Sequence, residues 1–162
     1  MNISSILFLL ISYASIGQSE DYKNMLKEYH NGFSTISPSE VKSKLDTKGV
    51  FFLDTRAKSE FSISHLKNAI QVNYDNFIVQ SVSFIPKNAE IIIYCSIGKR
   101  SQVVGEKMKA AGYTNVKNLY GGLFHWININ YPLVDSTGTK TKLIHGYSKE
   151  WGRWVKNGIV VY

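Results

Sequence analysis

Ile91-Ile92-Ile93-Tyr94-Cys95-Ser96-Ile97-Gly98-Lys99-Arg100-Ser101 is the stretch on which the fold of this chain turns. Three isoleucines and a tyrosine in unbroken sequence suit a strand buried on both faces, because β-branched and aromatic side chains pack well on a pleated surface. Pro86-Lys87-Asn88 introduces the run. A loop from Cys95 to Arg100 follows. Ser101 to Ala111 then reads as a helix, with Val103, Val104, Met108 and Ala111 as its apolar stripe and Gly112 as its stop.

Outward from that unit the same pattern recurs. Ser37-Pro38 supplies an N-cap and a proline at the first helical position, opening a helix to about Leu45 that Lys48-Gly49 breaks. Val50-Phe51-Phe52-Leu53 is a second buried strand, ending in Asp54. Ala69-Ile70-Gln71-Val72 is a weaker strand, and Asp75 to Val79 suits one or two helical turns. Val116 to Leu119 is another short strand, and Gly121-Gly122 opens a last helical turn through Trp126. Strands alternating with helices predict an α/β fold, a central mainly parallel sheet flanked by helices, over residues 35–134. Residues 18–34 read as a polar, partly helical lead-in. Residues 135–162 read as a C-terminal extension packing on the domain, with Trp151, Trp154 and Val155 at helical spacing as a docking face rather than a ligand cage.

The chain has 162 residues, 44% apolar and 19% charged, with three prolines, which favours one globular domain over disorder. Its net charge of +7 is spread along the sequence and raises the local concentration of small anions. No Lys/Arg cluster accompanies a recognition motif, so nucleic acid is not an expected partner. Ile6-Leu7-Phe8-Leu9-Leu10-Ile11 is too short to span a bilayer, which takes about 20 helical residues. Ser15-Ile16-Gly17 follows, and the sequence then turns polar. Residues 1–17 are thus expected to be a secretory signal cleaved near Gly17, although its n-region has no Lys or Arg. The mature chain is then expected to be periplasmic or secreted, with no stable membrane anchor after cleavage. Cys95 is the single cysteine, so no intrachain disulfide can form.

The loop places that thiol at the C-terminal end of a buried strand, where open α/β sheets bind their ligands. The next helix begins close behind, so its free N–H groups and positive dipole end point back at the sulfur. Gly98 lets successive amides converge into an anion nest, and Lys99 and Arg100 add charge beside it. Such surroundings favour a thiolate nucleophile that can attack a sulfane sulfur and hold the resulting anion. A lone cysteine is otherwise most often a small buried hydrophobe, but that role belongs within an apolar run and not after it. No second histidine stands at metal-ligand spacing from His65, so no metal is expected, and nothing in the chain calls for a cofactor.

Cys95-x-x-Gly98-x-Arg100-Ser101 resembles the active-site loop of the rhodanese family. Leu53-Asp54-Thr55-Arg56 with Glu60-Phe61 is similar to that family's Asp-x-Arg segment, and His65-Leu66-Lys67-Asn68-Ala69-Ile70 to its His-Ile-x-Gly-Ala segment. Leu119-Tyr120-Gly121-Gly122 with Trp126 resembles its Gly-Gly…Trp close, so the likeness runs from about Ile36 to Val134. The resemblance implies a sulfurtransferase in which Cys95 carries a persulfide and Ser96, Ile97, Gly98, Lys99, Arg100 and Ser101 cradle it. It implies a small anionic donor of the thiosulfate type and a thiol or protein acceptor. Asp54 and Arg56 are expected either to steady the loop or simply to fasten a strand end as an ion pair. Ser96 stands where the family often has Arg, and Asn68 where Gly is usual; asparagine tolerates a left-handed backbone, so that turn is expected to survive. Related cysteine phosphatases and arsenate reductases typically have one residue more than the four between Cys95 and Arg100. A redox-sensing or binding module that uses the same thiol without turnover is the alternative from a different class.

Overall fold

Burial alternates along the strand quoted above. Ile91 and Ile93 enter one hydrophobic core and Ile92 and Tyr94 another, and none of the four is exposed. Both faces of the sheet must therefore be covered. The computed structural model describes residues 19–30 and 32–162. In chain order its elements are α1 (Glu20–Tyr29), β1 (Thr35–Ile36), α2 (Pro38–Lys44), β2 (Val50–Asp54), α3 (Lys58–Ile63), β3 (Ala69–Gln71), β4 (Glu90–Tyr94) and α4 (Lys99–Ala110). There follow β5 (Val116–Leu119), α5 (Gly122–Asn128), β6 (Leu133–Val134), β7 (Lys140–Thr141), β8 (Leu143–His145), α6 (Lys149–Gly152) and β9 (Ile159–Val161).

The five-stranded sheet has the order β1-β5-β4-β2-β3, and every pairing in it is parallel. Asp54 lies opposite Tyr94 in the register, so β2 and β4 end level with each other. This brings Asp54 and Cys95 to the same rim of the sheet. One face is covered by Val41 of α2 and by Leu123, Phe124, Trp126 and Ile127 of α5. The other is covered by Val104 and Met108 of α4, with Val82 and Ile85 of the segment before β4. The α2 start carries a capping box, in which Glu40 N–H donates to Ser37 Oγ (3.3 Å) and Ser37 N–H to Glu40 Oε2 (3.1 Å). Asn68 adopts φ 64°, the left-handed conformation that asparagine tolerates better than most residues.

Several local expectations need correction. Helix α4 begins at Lys99 and not at Ser101. Gly98, at φ 109°, turns the chain so sharply that Lys99, Arg100 and Ser101 already form the first helical turn. The loop is thus Cys95 to Gly98. The helical turns expected at Asp75–Val79 are instead a turn closed by Phe77 N–H to Tyr74 O (3.4 Å), followed by a single 3-10 turn at Val79–Val82. The lead-in is an ordered helix, α1, whose Tyr22 and Leu26 are buried. The expected signal at residues 1–17 lies outside the described residues.

The C-terminal residues fold against the same face as α1. Ile144 and Val155 are buried in the core with α5, and β8 pairs in parallel with β9. Trp154 packs on Tyr22 (ring centroids 5.4 Å) and Trp151 meets Tyr29 edge-on (6.0 Å). Asn128, at the end of α5, donates to Trp154 O (2.8 Å) and accepts from Lys156 N–H (2.6 Å).

Candidate active site

Cys95 follows β4 directly and is 1% exposed, at the floor of a cavity of about 170 Å³. The Gly98 N–H donates to its Sγ at 3.1 Å. Beyond Gly98, the first-turn amides of α4 have no side-chain cap and no acidic neighbour in that turn. A helix start in this condition has free donors for an anion at the sulfur. Two further backbone bonds fix the loop from the opposite side. Leu123 N–H donates to Cys95 O and Phe124 N–H to Ser96 O, each at 2.9 Å, so the start of α5 holds the loop carbonyls. Gly122 permits this contact, since a Cβ there would stand 2.5 Å from Cys95 O.

The loop is braced from beneath by buried polar groups. Asn118 of β5 donates from Nδ2 to Gly98 O (2.8 Å) and lies 2.8 Å from Ser101 Oγ through its Oδ1. His30, which follows α1, accepts the Gly121 N–H at Nε2 (2.9 Å) and packs its ring where a Cβ on Gly98 would fall. Burial lowers the His30 pKa, against the opposing pull of the Ile97 backbone, which keeps the imidazole neutral as an acceptor must be. His125 is likewise lowered by burial.

Arg100 is the second structural centre. Its Nη1 and Nη2 each donate to a Glu60 carboxylate oxygen at 2.8 Å, and Nη2 also reaches Ser96 Oγ at 3.1 Å. Burial alone would lower the Arg100 pKa, but the Glu60 hydrogen bonds and the nearby Cys95 sulfur raise it above its ordinary value. Glu60 is 2% exposed. Burial would raise its pKa, yet Arg100, the Ala57 N–H and the charge of Arg56 outweigh burial and leave it below the ordinary 4.5. Lys99 remains exposed, its ammonium 4.9 Å from the centre of the Tyr29 ring.

Of the residues expected to form the site, Cys95, Ser96, Ile97, Lys99 and Arg100 line the cavity. Gly98 and Ser101 do not; Ser101 is fully buried and turned toward Asn118, so it is a strut beneath the loop. Asp54 and Arg56 are also not in the cavity. They form a fully buried ion pair (Nη2 to Oδ2, 2.7 Å) whose guanidinium also donates to Ser64 O at 2.6 Å. Beside them Thr55 donates from N–H (2.9 Å) and Oγ1 (3.1 Å) to Tyr94 O, the residue before Cys95. The pair fastens the strand rim, and the charge of Arg56 also bears on Glu60, the partner of Arg100.

Sequence reasoning missed five contributors. Glu60 was visible inside a motif, but nothing local says that it pairs with a residue 40 positions away. His30 and Asn118 carry no sequence signal, since both act through tertiary contact. Trp151 and Tyr147 of the C-terminal extension line the cavity with Phe124, so the expected docking face is divided. Trp154 docks on Tyr22, and Trp151, docked edge-on against Tyr29, also walls the cavity.

These shifts predict acid sensitivity in two stages. His30 and His125 have folded pKa values below 6.5, so their contribution to stability is complete above that pH and falls away as pH drops further. Glu60, depressed below 4.5, adds a second loss as pH falls below that value. Urea midpoints measured from pH 8 to pH 3 should decline first below about 6.5 and again below about 4.5. A flat profile to pH 4 would show that neither histidine is coupled to folding.

A profile of the rhodanese-like domain matches residues 37–129. The chain is 32% identical over 93 residues to a sulfurtransferase of Allochromatium vinosum, which covers 57% of this chain and 86% of that one. It is 33% identical over 86 residues to the adenylyltransferase and sulfurtransferase uba4 of Ogataea parapolymorpha, 51% of this chain but only 22% of that longer protein. The rhodanese-like domain protein of Staphylococcus aureus superposes with a TM-score of 0.52 at 31% identity, covering 57% of this chain and 90% of its own. With the parallel sheet and the Cys95 loop both in place, this chain belongs to the rhodanese-like domain family.

Proposed function

We propose that this chain is a sulfurtransferase that takes sulfane sulfur from a thiosulfate-type donor and passes it to a thiol or protein acceptor through a persulfide on Cys95. The observation that carries the reading is the Gly98 N–H aimed at Cys95 Sγ from an uncapped helix start, at the floor of an open cavity. In the first step the Cys95 thiolate attacks the outer sulfur of the donor. The donor's S–S bond breaks and its electron pair leaves with the oxidised sulfur, as sulfite where the donor is thiosulfate. The persulfide left on Cys95 carries its negative charge on the terminal sulfur, where the amides of α4 stabilise it. An acceptor nucleophile then attacks that terminal sulfur and the Cys95 thiolate is restored.

Arg100 serves chiefly to position the loop, because Glu60 already engages both of its terminal nitrogens. Lys99 is the cation left to attract an anionic donor. Sulfite release from thiosulfate with cyanide as acceptor tests the reading, and Lys99→Ala should raise KM by about threefold to tenfold at low salt, less at high salt. No transfer above the uncatalysed rate from thiosulfate or from any other thiosulfate-type donor would contradict it.

Export is proposed on the Ile6–Ile11 core and the Ser15-Ile16-Gly17 site. With one cysteine in the chain, no internal thiol can discharge the persulfide, so an external acceptor is required. N-terminal sequencing of the native protein should find a start near Gln18, and an intact Met1 would contradict export.

A further inference from the structure

The wall of the cavity is not what an inorganic dianion calls for. Facing Cys95 are Ile97, Phe124, Tyr147 and Trp151, a predominantly apolar surface. Of the two cations at the mouth, Arg100 is charge-compensated by Glu60 and has the Tyr147 ring over its guanidinium at 5.0 Å. Thiosulfate would bring two charges and a tight hydration shell to this surface, and desolvating them against apolar side chains is costly. A sulfur compound with one negative charge and a carbon group would lose less and bury the carbon group as well.

Tyr147 and Trp151 are held in place by their own segment. Tyr147 has φ 64°, a backbone conformation unfavourable for a bulky residue, and its N–H donates to His145 Nδ1 at 3.0 Å. Residues held this way concentrate where a side chain must be aimed. Trp151 is fixed by the Tyr29 ring and by the Ser148 cap at the start of α6. Both lie beyond the 37–129 segment matched by the family profile.

We propose that Trp151 and Tyr147 determine donor specificity, selecting an organic thiosulfonate, R–SO2–S⁻ with a compact apolar or aromatic R, over inorganic thiosulfate. The cavity is of a size for one ring, since a dry cavity of about 150 Å³ holds benzene. This rests on the persulfide reading of Cys95 and refines it. The Cys95 thiolate bonds to the terminal sulfur of the donor, the bond between that sulfur and the sulfonyl sulfur breaks, and its electron pair leaves as the sulfinate R–SO2⁻. One S–S bond forms and one breaks, total charge is conserved, and no outside oxidant or reductant enters. The R group stacks on Trp151 while the terminal sulfur meets the Gly98 amide.

The test compares kcat/KM for thiosulfate, methanethiosulfonate and benzenethiosulfonate in the full chain and in Trp151→Ala and Tyr147→Gly. Glycine adopts the left-handed backbone at 147 at no steric cost, so that variant removes the ring without a folding penalty at that position. Intrinsic donor reactivity cancels when the phenyl-to-methyl ratio is compared between parent and variant. The parent should prefer the phenyl donor over thiosulfate by about tenfold or more, and Trp151→Ala should lower the phenyl-to-methyl ratio by about tenfold. Tyr147→Gly should lower the same ratio by a smaller factor. Unchanged ratios in both variants, or a parent that prefers thiosulfate, would overturn the specificity proposal while leaving sulfur transfer standing. Absence of transfer from all three donors would instead overturn the persulfide reading, and the specificity proposal with it.

Discussion

Cys95→Ser loses sulfur transfer by on the order of 10⁴-fold or more while keeping its fold, as judged by circular dichroism and urea midpoint. The substitution exchanges sulfur for oxygen at a site where a hydroxyl can still accept the Gly98 N–H, so the loop keeps its brace. What disappears is the nucleophile, because a serine hydroxyl with no general base beside it does not ionise near neutral pH. Among the described residues no other cysteine can take over. Retention of even a tenth of the parent rate would mean that the transferred sulfur never resides on Cys95.

Asp54→Ala produces the largest loss of stability expected of any single change discussed, about 3–5 kcal/mol. Asp54 and Arg56 are both fully buried, and Asp54 accepts four bonds from Arg56, one from its backbone N–H and three from its guanidinium. Removing the carboxylate leaves a charged guanidinium in the interior with only the Ser64 carbonyl as partner at that end. Since a domain of this size is stable by about 5–15 kcal/mol, such a loss brings it close to unfolding. The double variant Asp54→Leu/Arg56→Met removes both charges and should be more stable than Asp54→Ala alone. Equal urea midpoints for parent and Asp54→Ala would show that the pair contributes nothing, against the geometry. Unchanged sulfur transfer in the folded double variant would show that the pair fastens the strand rim and takes no part in chemistry.

The parts of this molecule legible in its sequence are those in which local pattern and tertiary role agree. The isoleucine run of β4 is buried on both faces, and its composition says so. Ser37-Pro38 predicts a helix start because capping chemistry is confined to one turn. Cys95 is recognisable because its position, after an apolar run and before a helix, already states its surroundings. The start of α4 lies two residues before the point its composition suggests, for a related reason. Lys99 and Arg100 have the composition of a loop, and only the backbone turn at Gly98 makes them helical.

What stayed illegible is contact between distant segments. Asn118 holds the Gly98 carbonyl from 20 residues away and His30 supports Gly121 from 91 away, and neither looks unusual in its own stretch of sequence. Arg100 shows the cost most clearly. Its charge invites an anion when the loop is read alone, but Glu60, brought alongside by α3, claims that charge for structure. The sense of Trp151 also depends on the fold. Helical spacing groups it with Trp154, but α6 ends at Gly152; Trp154 packs on Tyr22, while Trp151 meets Tyr29 and lines the cavity with Cys95.

In the proposed mechanism sulfur is bound covalently at one atom, Cys95 Sγ, and peptide mass spectrometry reads that directly. The purified chain is incubated with a donor, the excess is removed, and the peptide containing Cys95 is weighed before and after treatment with a reductant. Cys95 should gain the mass of one sulfur atom and lose it on reduction, with the Cys95→Ser peptide unchanged throughout. A Cys95 peptide that never gains sulfur while donor is consumed would contradict the persulfide mechanism and everything built on it.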